Sequence, residues 1–225
     1  MEIVFVPGLG EDASAFAHQE KHLELGATTF DYDAFDTTDK MVDALIESMP
    51  SECILIGHSL GGYLALQAAA KKPPQKLILL NTWASETDKL KEQNKMAMQA
   101  IENLGLDVML KAQIPLLMHP ERASDTALID QTYEMLSKKP EETYLRLFSA
   151  IDKASDLSLL PTISSQTLVI HGRQDPLFSL AQHQLIASQI PCAELAIIEE
   201  CGHNSPTEQP IAVTALCNLF ISVIS

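Results

Sequence analysis

Cys53-Ile54-Leu55-Ile56-Gly57-His58-Ser59-Leu60-Gly61-Gly62-Tyr63-Leu64-Ala65-Leu66 is the stretch on which the architecture turns. Cys53–Ile56 is wholly apolar, as a strand covered on both faces must be, and Gly57 ends it. Leu60–Ala70 is apolar nearly all round, so the helix it forms must be buried against something broad, normally a sheet. Lys71-Lys72-Pro73-Pro74 stops that helix. Between strand and helix stands Gly57-His58-Ser59-Leu60-Gly61, a Gly-x-Ser-x-Gly turn. Such a turn strains the serine backbone and brings neighbouring chains close, which is why glycines flank it.

The same rhythm extends in both directions. Ile3–Val6 is a short apolar strand entering the turn Pro7-Gly8-Leu9-Gly10. Helical spacing covers about Ala13 to Leu25 and again Thr38–Met49, with a strand expected at Thr28–Tyr32 between them. Downstream, Lys76–Leu80, Thr167–Ile170 and Glu194–Ile198 read as strands. Ser179–Ile190 and Pro206–Val223 read as helices. Strands alternating with helices predict a mostly parallel sheet of about six strands, flanked by helices on both faces. Residues 84–160 break the alternation with helical patterns alone. The expected organisation is an α/β core of residues 1–83 and 161–225, carrying a helical insertion at 84–160.

Composition narrows the function classes. The 225 residues carry 15 Lys+Arg against 30 Asp+Glu, a net charge of −15. An acidic chain with pI near 4.7 lacks the basic face that phosphate backbones or anionic membranes need. No nucleic-acid or membrane partner is expected. The N-terminus has neither a basic n-region nor a small-residue cleavage site, so the expected location is cytoplasmic. Cys53, Cys192, Cys201 and Cys217 show no metal-ligand spacing and read as reduced packing residues.

The chemistry begins at Ser59. A serine hydroxyl attacks poorly at neutral pH unless a base takes its proton and a carboxylate orients that base. Loops at the carboxyl ends of later strands are where a parallel sheet would supply them. His171-Gly172-Arg173-Gln174-Asp175 follows one strand and Cys201-Gly202-His203 another. Ser59, Asp175 and His203 therefore form the candidate catalytic set, with Glu199 and Glu200 as weaker rivals for the acid. A tetrahedral oxyanion needs fixed N–H donors. Leu60, which opens the helix, and Leu9, in the turn after the first strand, are the candidates.

On these segments, with Leu79-Leu80-Asn81-Thr82 and Pro115-Leu116-Leu117-Met118-His119-Pro120, the chain resembles the α/β-hydrolase-fold serine hydrolases. Within them it resembles the bacterial esterase-like group that includes pimeloyl-ACP methyl ester carboxylesterases. The matching segments run along nearly the whole chain. The resemblance implies catalytic Ser59, Asp175 and His203, with the insertion lying over the site as a lid. Two departures stand out: Pro7-Gly8 where family members often carry His-Gly, and a start directly at the strand before the oxyanion turn, without the usual leading β-hairpin.

The function expected is hydrolysis of small to medium neutral carboxylic esters through an acyl-enzyme on Ser59, with no metal or organic cofactor. The chain's three arginines, Arg122, Arg146 and Arg173, are few for a site built around a multiply anionic substrate. Net negative charge also disfavours an acidic acyl-carrier protein. C–C hydrolysis or lysis and perhydrolysis would use the same three residues, and a non-catalytic ligand-binding protein is the reading from a different class. Oligomeric state is not legible.

The remaining residues divide as follows. Trp83 is the expected pocket-wall residue. Met96, Met98, Met109, Leu116, Leu117 and Met118 are expected to pack within the insertion rather than line an acyl pocket. His58 reads as a packed neighbour of Ser59. His18, His22 and His183 read as surface residues, and His119 and His171 as structural ones.

Overall fold

The computed structural model describes residues 1–85, 87–151 and 157–222. The expected insertion therefore includes residues (86 and 152–156) that lie outside the described ones, as does position 223 of the expected closing helix.

In chain order the elements are β1 (Glu2–Val6), α1 (Ala17–His22), β2 (Ala27–Thr29), α2 (Thr38–Ser48), β3 (Cys53–His58), α3 (Leu60–Lys71) and β4 (Lys76–Leu80). Four helices follow: α4 (Asp88–Leu104), α5 (Leu106–Leu117), α6 (Thr126–Leu136) and α7 (Glu141–Ile151). The chain then returns to the sheet with β5 (Gln166–Gly172), α8 (Leu180–Gln189), β6 (Ala193–Ile198), α9 (Ser205–Glu208) and α10 (Pro210–Ser222). The strands lie in the order β2-β1-β3-β4-β5-β6, and every pairing is parallel. Both faces are covered. Ile3 and Phe5 pack into one apolar cluster while Val4 and Val6 pack into the other, as the two-residue period of a strand requires.

Four local results differ from the sequence reading. The second strand runs Ala27–Thr29 rather than Thr28–Tyr32. The first helical stretch starts as a 3₁₀ turn, Ala13–Phe16, with Asp12 Oδ1 accepting from the Ser14 N–H. The closing helix is two helices, because Pro210 cannot donate to the preceding turn and restarts the helix. Cys192 is exposed, while Cys53, Cys201 and Cys217 are buried.

His183 is a larger correction. It is fully buried rather than at the surface. Its Nδ1–H donates to the Ser179 carbonyl (3.0 Å), and its Nε2 accepts from the Thr82 N–H (3.2 Å). One acceptor and one donor fix the neutral Nδ1–H tautomer. Burial in first place, with the neighbouring His171, pushes its pKa down to about 4 from 6.5. Above pH 6.5 the ring is neutral folded or unfolded and has no linkage effect. As pH falls, the unfolded chain binds the proton first, so stability drops between pH 6.5 and 4 by roughly 3 kcal/mol. Urea midpoints at pH 7 and 4.5 should fall less steeply in His183→Gln than in wild type. Equal slopes would contradict the assignment.

Candidate active site

The site lies where the carboxyl ends of β1, β3, β4 and β5 finish level, with Val6 paired to Gly57, His58 to Leu80 and Leu80 to Ile170. Ser59 has φ 51° and ψ −119°, a sparsely populated conformation that costs about 1–3 kcal/mol. Surrounding bonds hold it there. Its N–H donates to the Leu80 carbonyl (3.0 Å), and its own carbonyl accepts from Thr82 Oγ1 (2.7 Å) and the Tyr63 N–H (3.1 Å). The flanking glycines leave no room for a side chain: a Cβ on Gly61 would stand 1.9 Å from the Val6 carbonyl oxygen, and one on Gly57 2.4 Å from that of Gly61.

Ser59, His203 and Asp175 come together in one hydrogen-bonded line. Ser59 Oγ lies 3.0 Å from His203 Nε2, and His203 Nδ1 lies 3.0 Å from Asp175 Oδ2. The carboxylate leaves Nδ1 no role but donor, so Nε2 presents its lone pair to the hydroxyl. The Asp175 side chain is fully buried. Burial alone would raise its pKa. The charge and hydrogen bond of His203, with bonds from Asn81 and the Phe178 N–H, outweigh that and hold it at about 2. Oδ1 also accepts from the Leu177 N–H (2.8 Å) and the Phe178 N–H (3.1 Å). Glu199, a weaker rival, is instead exposed and paired with Arg173.

Two supporting residues escaped the sequence reading. Asn81, in left-handed backbone (φ 46°) just after β4, donates from Nδ2 to Asp175 Oδ2 (2.9 Å) and to the Gly202 carbonyl (3.2 Å). Glu208 accepts from the N–H groups of Gly202 (2.7 Å) and His119 (3.0 Å), fixing the loop that carries His203. A short polar residue directly after an apolar strand was the available signal for Asn81. Glu208 had none.

Above Ser59 is a cavity of about 100 Å³. Gly8, Leu9, Ser59, Leu60 and His203 form its floor, and Leu90, Gln93, Asn94, Ala97, Leu110, Leu117, Tyr144 and Phe148 from the inserted helices form its roof. Both expected oxyanion donors thus border the same space as the hydroxyl. Leu60 opens α3, where a backbone N–H has no partner within its helix. Trp83 also lines the cavity, stacked between Tyr63 (5.2 Å) and Phe178 (5.0 Å). Of the insertion's six expected core residues only Leu117 reaches the cavity. Met109 and Met118 are buried in the core, and Met96 and Leu116 are exposed. Among the described residues, no lysine or arginine lines it.

A model of the alpha/beta hydrolase family matches residues 3–216, and the chain belongs to that family. Among curated relatives it is 29% identical over 165 residues to a putative carbamate hydrolase RutD from Pseudomonas savastanoi, covering 71% of this chain and 63% of that one. It is 28% identical over 176 residues to a pimeloyl-[acyl-carrier protein] methyl ester esterase from Nitrosospira multiformis, covering 74% and 67%. The matched stretch thus spans about two thirds of those relatives' length. The fold superimposes on an enol-lactonase from Burkholderia xenovorans with TM-score 0.89 (22% identity; 99% of this chain, 91% of that one). It superimposes on a thermophilic esterase from Thermogutta terrifontis with TM-score 0.85 (23% identity; 98% and 89%).

Proposed function

We propose that the protein is a serine hydrolase that cleaves small to medium neutral carboxylic esters through an acyl-enzyme on Ser59. The observation that carries this is the unbroken line from Ser59 Oγ through His203 to the buried Asp175, opening onto a mostly apolar cavity. In the first half-reaction His203 Nε2 takes the hydroxyl proton as Oγ attacks the ester carbonyl. Asp175 keeps the imidazole in its Nδ1–H tautomer and stabilises the imidazolium. The N–H groups of Leu9 and Leu60 receive the oxyanion. His203 then gives the proton to the departing alkoxide. In the second half-reaction it deprotonates a water that releases the acid and frees Ser59.

The cavity supports the substrate class. It is far smaller than the roughly 300–1,000 Å³ of sites for drug-sized ligands, and among the described residues its ionisable lining groups are Glu11, His58, Tyr144 and His203. Arg146 is engaged by the Asp33 carbonyl (2.6 Å) and Arg173 by Glu199, so neither offers an anion site there. Helices α4–α7 act in this reading as the lid. Carbamate cleavage is the second reading, favoured by the relative of that name, since the same acyl transfer operates on a carbamoyl carbonyl.

On p-nitrophenyl esters of graded length, kcat/KM should peak at short acyl chains of about two to four carbons and fall at least tenfold by eight, as 100 Å³ fills. A profile still rising at eight carbons, or turnover confined to acyl-carrier thioesters or esters, would overturn the substrate class.

A further inference from the structure

Among the described residues, the neighbour of Ser59 has a hydrogen-bond environment unlike that of the two other buried histidines bonded through both ring nitrogens. His203, like His183, meets one acceptor (Asp175) and one donor (the Ser59 hydroxyl). His58, 1% exposed at the end of β3, meets two acceptors. Its Nδ1 lies 2.9 Å from Glu11 Oε2 and its Nε2 2.9 Å from the main-chain carbonyl oxygen of His203. A carbonyl cannot donate, so Nε2 carries a hydrogen. A carboxylate cannot donate either, so Nδ1 carries one too. The one alternative places the proton on Glu11. That oxygen already accepts the Gly8 N–H at 2.6 Å, a bond that favours the charged carboxylate.

We infer that His58 is held as an imidazolium paired with the Glu11 carboxylate, and that this buried pair is a positioning device for the reaction. It ties together three segments remote in sequence. Glu11 grips the turn that carries Leu9 through the Gly8 N–H. His58 is covalently next to the nucleophile. Its Nε2–H grips the backbone of the residue that serves as base. This role rests on the serine-hydrolase reading. The pair sits at the cavity floor, with the His203 ring 5.1 Å from that of His58.

The charged groups around the pair are consistent with it. Facing His58 are Glu11 from the turn after β1, Asp175 from the loop after β5, and His203 from the loop after β6. Facing Glu11, besides the two histidines, are the phenols of Tyr32, whose hydroxyl donates to the Pro7 carbonyl (2.8 Å), and Tyr144, whose hydroxyl donates to that of Leu136 (2.7 Å). Burial would neutralise both partners, lifting Glu11 and lowering His58. Their mutual attraction prevails, leaving Glu11 below and His58 above its ordinary range.

The decisive experiment is side-chain nitrogen NMR on the labelled full-length protein, with the His58 ring assigned through its own bonds. Both nitrogens should appear protonated at pH 7. One unprotonated nitrogen at pH 7 would overturn the charge assignment in the wild-type protein, with no variant needed. Glu11→Gln keeps the shape and removes the charge. It should leave His58 with a single ring hydrogen at pH 7 and lower kcat at least tenfold, with KM changed less than about threefold. An unchanged kcat would overturn the positioning role. Failure of wild-type Ser59 to react with a fluorophosphonate would instead sink the hydrolase reading and leave the ion pair standing.

Discussion

Replacing Ser59 with alanine is expected to lower kcat on a short p-nitrophenyl ester by about 10⁴- to 10⁶-fold, with the thermal transition within a few degrees of wild type. Alanine keeps the main-chain bonds to Leu80 and Thr82 that hold the turn, and it inherits the same strained φ. What it removes is the atom on which the proposed covalent intermediate would form. Residual rate would then come from water attacking a carbonyl polarised by the Leu9 and Leu60 N–H groups. Steady-state kinetics with a pre-steady-state burst checks both parts. A variant keeping more than about 1% of kcat would mean that the acyl group is not carried on Ser59.

The second large effect is expected at Asp175→Asn, a loss of about 10⁴ in kcat, or roughly 5 kcal/mol of transition-state stabilisation. The amide has nearly the shape of the carboxylate, and its oxygen can replace Oδ1 as acceptor of the Leu177 and Phe178 N–H groups. Its NH₂ group must then face His203. A donor there forces Nδ1 to accept and Nε2 to carry the hydrogen, so no lone pair meets Ser59. Because the wild-type carboxyl stays ionised down to about pH 2, the rate should not lose the Asp175 charge anywhere between pH 4 and 9. The Asn variant should therefore be slow across that whole range. Recovery at high pH to within tenfold of wild type would contradict the orienting role.

Much of this was readable from residue patterns. Continuous apolar runs such as Cys53–Ile56 and Lys76–Leu80, each ended by a turn, are what a parallel sheet covered on both faces needs, and the sheet has the six strands expected. The three site residues were legible because each combines a reactive side chain with a strand end, which places it at the carboxyl edge of the sheet.

What escaped notice acts across long separations without a motif of its own. Glu11 and His58 are 47 residues apart, and Asn81 and Asp175 are 94 apart. Only the folded sheet brings β1, β3, β4 and β5 close enough for those bonds. His183 was misplaced at the surface by its polarity. Its spacing to Ile186 and Ile190, three and seven positions on, put it on the buried face of α8. The insertion's methionines show the converse: helical spacing puts Met109 in the core and Met96 in solvent, and neither reaches the cavity.

The central claim is an activated serine at position 59. Its most direct test is fluorophosphonate labelling of wild type, Ser59→Ala and His203→Ala, read by intact mass. One adduct on the wild-type chain, with none on either variant, is the predicted result. An unlabelled wild type, or an adduct that persists in Ser59→Ala, would contradict it.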